Sequence, residues 1–455
     1  MIKVKNLSIT NQINTNYRDY ALYTLMHRGI PHFDDALTNV QRMIILNTPT
    51  SFSKTMSIVG SVISDGYHHG PDSISKSASK LARPWGCSQQ ILDGDGFFGN
   101  SVNSESASPR YTSIALNKDV LEYIKRFKHL NGKDGEGNHS PIHLELPIGL
   151  FTTIVGIAVG YKATILPRKP KEIISFLKGT RKSVQPYFEG YTGKISRYND
   201  LPNAWLFEGV CEVDEKKRTV HIKTLPPLMR YRTFVTKLNR ILELYGSRIE
   251  NNTNDFIDIK IIFDRQPHWK DAIEAIIKIT KQIVRESIVF IKDGRVLEYD
   301  SIEDYLTDFR IYYAKVELKN FDYQIKFYNQ EIEFLKAKKA FMEFLKKQKT
   351  FIGSDLIEEF LNQYSKEIYS RLDRIPLRKL NKDEISGIIT NITAFKKLVT
   401  KYTAEYNKKL EYLETVDETY HTKKYASIDI DVEELNEIEV FDAKKEEING
   451  DDSKD

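Results

Sequence analysis

The stretch SASPRYTSIAL places Arg110 directly before Tyr111, behind Pro109, in a chain with 25 tyrosines. A phenol has a pKa of about 10 and is a weak nucleophile at neutral pH unless its proton is removed or its anion stabilised. Moving a phosphodiester onto that oxygen builds negative charge on the phosphate, and arginine, histidine or a metal ion beside it lowers the barrier. The Arg110-Tyr111 dipeptide carries a nucleophile and a clamp in adjacent positions. Arg28, Arg42, Lys54 and the His68-His69 pair of YHHG add cations and imidazole donors to the same part of the chain. Such groups suit a phosphate backbone. Surface Arg-Tyr pairs are common, however, and spacing alone favours reading Tyr111 as a rim aromatic.

Three other motifs are set aside. NGKDGEGNH (131–139) is glycine-rich but lacks the Gly-Lys-Ser/Thr of a phosphate loop, so it reads as a surface loop. His139 and His143 have metal-like spacing without a cysteine or carboxylate frame, which argues against zinc. DGDG (93–96) resembles the start of a calcium loop, but Ser104 stands where the closing glutamate belongs, so a turn is expected.

The chemistry needs elements to position it. A chain of 455 residues is too long for one core, and two to four domains are expected. No run of about 18 apolar residues occurs and the N-terminus lacks the apolar core of a secretory signal, so no membrane association is expected. Cys87 and Cys211 define no disulfide framework, which points to a cytoplasmic setting. The net charge of +4 hides a segregation: residues 429–455 hold twelve acidic residues and three lysines, a local charge of −9, leaving +13 on the preceding 428. A basic body with an acidic tail suits a nucleic-acid binder.

Residues 1–16 read as a loose arm. DYALYTLMHRGI and FDDALTNVQRMIILNT have helical periodicity, with Asp34 and Asp35 as expected caps. SFSKTMSIVGSVISDGYHHG and DSISKSASKLARPW read as two helices about a glycine-containing turn, the second capped by Asp72 or Ser73. That is a helix-turn-helix pattern, and a winged-helix DNA-binding domain over 17–166 is the candidate. From 167 to 299 strand-rich stretches such as WLFEGVCEVDE and IDIKIIFD alternate with helical ones, an α+β domain. Ile302, Leu306, Phe309, Tyr313 and Val316 begin an apolar seam, and Ile385, Ile388, Ile392, Phe395, Val399, Tyr402, Tyr406 and Leu413 form another, broken by Lys409. Seams of this length predict an antiparallel coiled coil, outgoing over 300–349 and returning over 381–420, with a small helical knob at 350–380. Residues 421–455 are expected to be an acidic, disordered tail.

Several motifs together resemble one family. RGIPHFDDALTNVQR, KTMSIVGSVISDGYHHG, DGDGFFGN, SASPRY and GIAVGYKATILP stand in the order and spacing of the DNA breakage–reunion subunit of type IIA DNA topoisomerases, the group of gyrase A, its topoisomerase IV counterpart and the eukaryotic topoisomerase II core. YHHG and SASPRY look eukaryotic, GIAVG looks bacterial, and VQPYFEGYTGKI and RIPLRKL extend the match over roughly residues 20–415. This blend, in a short chain, most resembles the bacteriophage members.

The resemblance implies that Tyr111 attacks a backbone phosphate and becomes linked to the 5′ end of the broken strand. It implies that Arg110 and Arg28 stabilise that phosphate in the transition state, and that His69 donates a hydrogen bond to it. Arg42, Lys54 and His68 fall at DNA-contacting positions, and Ile157 at the position of an isoleucine that wedges between base pairs. Read alone, Ile157 is an ordinary strand residue. The resemblance also implies a homodimer on double-stranded DNA, held through the knob as an exit gate, with a tower domain over 167–299. The chain has no acidic EGDSA-like motif and no ATPase motif, so Mg²⁺ is expected on a partner's toprim domain and ATP on a partner's ATPase domain. No DNA-wrapping domain is seen, which argues for relaxation and decatenation rather than supercoiling. The location implied is cytoplasmic, in the bacterial host if phage-encoded. A tyrosine recombinase is the alternative enzyme, but it would carry its tyrosine near the C-terminus. The alternative without chemistry is a winged-helix architectural protein with a coiled-coil dimerisation arm.

Overall fold

The computed structural model describes residues 9–133, 139–245, 247–264, 268–347, 354–375 and 382–416. The first half of the expected N-terminal arm (1–8), the acidic tail, residues 376–380 of RIPLRKL and residues 134–138 of the glycine-rich loop lie outside the described residues. The described residues divide into two compact units, one ending at Phe309 and the other beginning at Arg310.

In the first unit, residues 9–16 are helical rather than loose: α- and π-helical turns follow one another from Ile9 to Gly29. The next helix, Asn39–Asn47, starts later than the sequence suggests. Thr38 caps it in a reciprocal box with Gln41, whose side-chain oxygen accepts from the Thr38 backbone N–H at 2.9 Å. Asp34 and Asp35 are therefore not caps. Asp35 is buried and accepts from the backbone N–H groups of Leu37 and Ile142, both at 3.0 Å. Helices Thr55–Ser64 and Pro71–Ala82 follow. The cap of the second is Gly70, with Pro71 at the first helical position, where the ring's fixed φ is pre-set for a helix. Asp72 and Ser73 thus fall inside the first turn. The DGDG segment is not a turn: Leu92–Asp95 is a strand, and with Ser53–Lys54 it flanks Ser113–Leu116 in a three-stranded antiparallel sheet. Ile44, Ile58, Val62, Ile74, Leu81, Leu92 and Ile114 are buried.

Two further hairpins follow the expected strand texture. Ile154–Ala158 pairs with Tyr161–Ile165, and Ile288–Lys292 with Arg295–Tyr299; Ala163, Val289 and Ile291 share a core with Leu25 and Ile30. Residues 194–285 build a three-stranded and a four-stranded antiparallel sheet, the latter backed by helices Tyr231–Tyr245 and Trp269–Ile279 over Val220, Ile222, Phe234, Ile261 and Ile276. Arg168 and Glu286 form a buried pair at 2.6 Å, and the Trp205 indole N–H also donates to Glu286 at 2.8 Å. Each charge of this pair is satisfied, as burial requires.

The second unit contains most of the helix Ile302–Lys347 and all of Lys382–Glu414. Their seams meet in antiparallel order: Phe321 lies 6.1 Å from Tyr402, and Tyr328 lies 5.2 Å from Phe395, between ring centroids. Lys409, the break in the returning seam, pairs with the nearly buried Glu317 at 2.5 Å. Short helices Ser354–Leu361 and Lys366–Asp373 pack Leu361 and Leu372 against Phe341.

His32 gives the first unit a pH dependence. Its Nδ1 accepts the Asp34 backbone N–H at 3.2 Å, which requires the neutral ring. Burial lowers its pKa to about 3, with Arg42 and Lys292 adding to the shift and Asp35 opposing it. The unfolded ring takes up its proton near pH 6.5, so the unfolded state gains protons first as pH falls and stability drops below about pH 6.5. Asp65, held at about 2 although burial opposes this, by hydrogen bonds from Lys133, Asn47 and His139, acts only in more acid solution. Between pH 7 and 5, His32→Gln is expected to lose about 1–2 kcal/mol less stability than the parent. Unfolding midpoints at both pH values check this, and equal losses would contradict it.

Candidate active site

Tyr111 follows a turn closed by its own N–H to Ser108 O at 2.8 Å. The helix Thr55–Ser64 has unpaired N–H groups in its first turn, as every helix does. It uses two of them on the carbonyls flanking the tyrosine: Met56 N donates to Pro109 O at 3.2 Å and Thr55 N to Thr112 O at 3.0 Å. The Thr55 and Thr112 hydroxyls, both buried, meet at 2.8 Å. On the other side Ala107 N donates to Phe97 O at 2.9 Å. The backbone is thus fixed on both sides while the Tyr111 ring is 71% exposed. Lys54 pairs with Ser113 in the sheet register, and its side chain, like that of Arg110, is exposed. Lys54, on an edge strand, therefore lies at the same end of the sheet as Arg110 and Tyr111, which form the turn leading into the central strand.

A second contact joins the turn that carries Arg28 to the strand that carries Ile157. Arg28 sits in the π-helical turn Leu25–Gly29 with its side chain exposed. A methyl group at Gly29 would lie 2.6 Å from the Ile157 carbonyl oxygen, and one at Gly156 would overlap the Gly29 carbonyl. Backbone meets backbone here because neither residue has a Cβ. Along Ile154–Ala158, Ile154 and Gly156 face inward, while Val155 and Ile157 face out, Ile157 at 74% exposure. Two aliphatic side chains standing in water on one strand face form a ridge with no core to fill.

His68 is exposed and His69 half-buried. The His69 ring stands edge-on to Tyr67 at 5.2 Å and to Tyr23 at 6.3 Å, and Tyr23 belongs to the helix Arg18–Thr24 that leads into the Arg28 turn. Arg42 does not join these groups. It is 5% exposed, and its guanidinium donates to both Asp35 carboxylate oxygens, at 2.7 and 3.1 Å. Its charge is neutralised inside the fold, so it is left out of the DNA-contacting set. His139, set aside as a zinc ligand, pairs instead with Asp65 at 2.5 Å.

The structure adds residues that the sequence left unremarked. Thr55 and Thr112 brace the tyrosine, yet stand 57 positions apart and look like any other threonines. Gly29 and Gly156 carried a faint signal, each lying inside a quoted motif, RGIP and GIAVG. Among the described residues no group of three or more histidine, cysteine, aspartate or glutamate side chains is arranged to hold a metal ion. The cations beside Tyr111 are the Arg110 guanidinium and the Lys54 ammonium, and Asp95 lies across Ser113 from Lys54.

An exposed tyrosine on a braced loop thus stands on a helical and three-stranded-sheet frame, with Arg110 beside it in sequence and Lys54 beside it in the sheet register. Residues 28–420 match the A-subunit family of DNA gyrase and topoisomerase IV, and the chain belongs to that family. Its role is that of the DNA-cleaving and religating subunit, in a class of enzyme that uses Mg²⁺ and ATP in the assembled complex. The DNA topoisomerase medium subunit of Enterobacteria phage T4 is 26% identical over 458 residues, covering 94% of this chain and all of that relative. The DNA gyrase A-subunit of Mycobacterium tuberculosis (strain H37Rv) is 22% identical over 74% of this chain, which spans only 45% of its length. The DNA-binding, cleavage and re-ligation domain of Plasmodium falciparum topoisomerase II superposes over 90% of this chain and 64% of its own, with a TM-score of 0.75 at 17% identity. That last likeness supports the mixed α+β fold.

Proposed function

We propose that Tyr111 is the nucleophile of transient double-strand breakage. Its oxygen attacks a backbone phosphorus, the P–O3′ bond breaks, the phenol proton is given up, and the departing 3′ oxygen takes a proton. The product is a 5′-phosphotyrosyl link that keeps the bond energy, so resealing by the 3′ hydroxyl needs no further cofactor. The observation that carries this reading is the exposed ring on a backbone fixed from both sides. Holding a reactive group in place before reaction removes part of the entropic barrier.

Arg110 and Arg28 stabilise the phosphate charge, His69 donates to it, and Lys54 and His68 contact neighbouring phosphates. Ile157 enters the base stack and bends the duplex, an insertion whose unstacking cost is offset by the added contacts. In this reading the helix pair Thr55–Ser64 and Pro71–Ala82 belongs to a winged-helix domain over 17–166, residues 167–299 form a tower domain, and the two long helices form a coiled coil whose knob dimerises two chains. Each chain cuts one strand at staggered positions so that a second duplex passes. A toprim-bearing partner holds Mg²⁺ and an ATPase-bearing partner holds ATP, within the cytoplasm.

The test is denaturant-quenched cleavage of end-labelled duplex by this chain with its toprim-bearing partner and Mg²⁺. Protein covalently attached at 5′ ends is expected. DNA binding without covalent product from a complete, folded complex would leave a DNA-clamping scaffold instead.

The brace around Tyr111 gives a separate expectation. Thr112→Val removes the hydroxyl from a buried pair and leaves Thr55 Oγ1 unmatched, at a cost of about 1–3 kcal/mol. Covalent cleavage is expected to fall roughly tenfold as the nucleophile loses its position, with DNA affinity unchanged. Single-turnover cleavage and a binding titration check this; a fall in affinity alone would place Thr112 in DNA binding.

A further inference from the structure

Beneath the nucleophile loop lies a cavity of about 580 Å³ that the cleavage reaction does not use. Phe97, Tyr191 and Phe256 line it together with Glu189, Asp255 and Lys223. Phe97 is 45% exposed and Phe256 82%, so two large aromatic side chains stand in water at this site. The Glu189 carboxylate accepts from the Tyr187 hydroxyl at 2.9 Å, and that of Asp255 from the Asn100 amide at 2.9 Å. Both donors are neutral, and among the described residues neither carboxylate has a cationic side chain within ion-pairing reach. Lys223 is already paired with Glu212 at 2.5 Å. The Arg83 guanidinium lies 4.4 Å over the ring of Trp85, another lining residue, and the lining as a whole combines aromatic faces with two carboxylates held by neutral donors, the chemistry that recognises an organic ammonium ion. Its volume falls in the range of small-molecule sites.

We infer that this cavity is a binding site for a small organic cation with an apolar body, of the polyamine type, and that its occupancy acts on the Tyr111 loop. The cavity wall is that loop's support. Phe97 O accepts from Ala107 N, and a methyl group at Gly96, another lining residue, would lie 3.3 Å from the Tyr111 carbonyl oxygen. A ligand that moves Phe97 moves the segment that holds the nucleophile. The binding stands on the cavity alone; its effect on cleavage rests on the role proposed for Tyr111.

The experiment titrates the full chain, free of DNA, with spermidine, followed by calorimetry and by the fluorescence of Trp85, which also lines the cavity. Saturable one-to-one binding is expected, weakened about tenfold or more in the double variant Glu189→Gln/Asp255→Asn. Mg²⁺ at equal charge concentration is expected not to compete. No saturable binding, or equal binding by the parent and the double variant, would overturn the site. Covalent cleavage by the complete complex is then measured with and without spermidine for both proteins, so that direct action of the polyamine on DNA is common to the two. A spermidine-dependent change in covalent yield in the parent alone is expected. Saturable binding with the same response in both would overturn the link to the loop. A complex that yields no covalent product with or without spermidine would count against the nucleophile reading and leave the binding result standing.

Discussion

Tyr111→Phe is expected to remove covalent capture of DNA while leaving the protein folded and able to bind. The substitution deletes one oxygen. The ring is 71% exposed, so no packing depends on that oxygen, and the bonds that hold the loop run through the backbone of Pro109, Tyr111 and Thr112 and the hydroxyls of Thr55 and Thr112. Loss of an attacking oxygen leaves no covalent route, so the yield of 5′-linked protein should fall by at least about a thousandfold. Arg110→Ala is expected to keep a residual yield, reduced about 10²–10³-fold, because it removes one source of charge stabilisation and leaves the nucleophile. The order of the two effects is the informative part. A Tyr111→Phe complex that still traps 5′ ends would move the chemistry to another hydroxyl. A parent complex that traps none would favour the architectural reading, in which this turn only grips DNA.

The features legible in the sequence are those set by short-range rules. The seam from Ile385 to Leu413 repeats every three or four residues, and helix geometry alone turns that period into one face. Its exception, Lys409, needed the opposite helix, since Glu317 is 92 positions earlier in the chain. The turn carrying Arg110 and Tyr111 was marked by residue type, whereas its brace was not: a two-residue strand, Ser53–Lys54, and a hydroxyl pair 57 positions apart have no local signature. Arg42 shows the reverse failure. An arginine at a position that resembles a DNA contact reads as one, but Asp35, seven positions earlier, turns it inward and neutralises it. The strand at Leu92–Asp95 was hidden by its own glycine, because DGD suggests a turn until the pairing of Gly94 with Ile114 is known. Except for Arg42, whose partner is only seven positions away, the missing information was a partner distant in sequence.

The second large effect is expected at a residue with no side chain. Gly156→Ala would set a methyl group onto the Gly29 carbonyl oxygen, and both sides of that contact are backbone. No rotamer change relieves such an overlap, so the hairpin Ile154–Ala158 and the turn Leu25–Gly29 must separate. Overpacking in a core costs typically 1–3 kcal/mol, and an overlap between backbones should cost at least about the upper figure. The functional loss should exceed the stability loss, since Arg28 and Ile157 ride on the two segments that move apart. Ile157→Ala separates the two effects. Ile157 is 74% exposed and fills no core, so its truncation should change stability by no more than about 0.5 kcal/mol while removing the wedge proposed here. Thermal unfolding and the end-to-end distance of a doubly labelled duplex distinguish them: Gly156→Ala lowers both the midpoint and the bend, Ile157→Ala the bend alone. Gly29→Ala meets the Ile157 carbonyl at 2.6 Å from the other side, so its effect should not add to that of Gly156→Ala. Full additivity of the two would mean that each glycine answers a separate constraint. A Gly156→Ala protein with the parent's midpoint and bend would show that this approach of backbone to backbone does not set the position of Arg28 and Ile157.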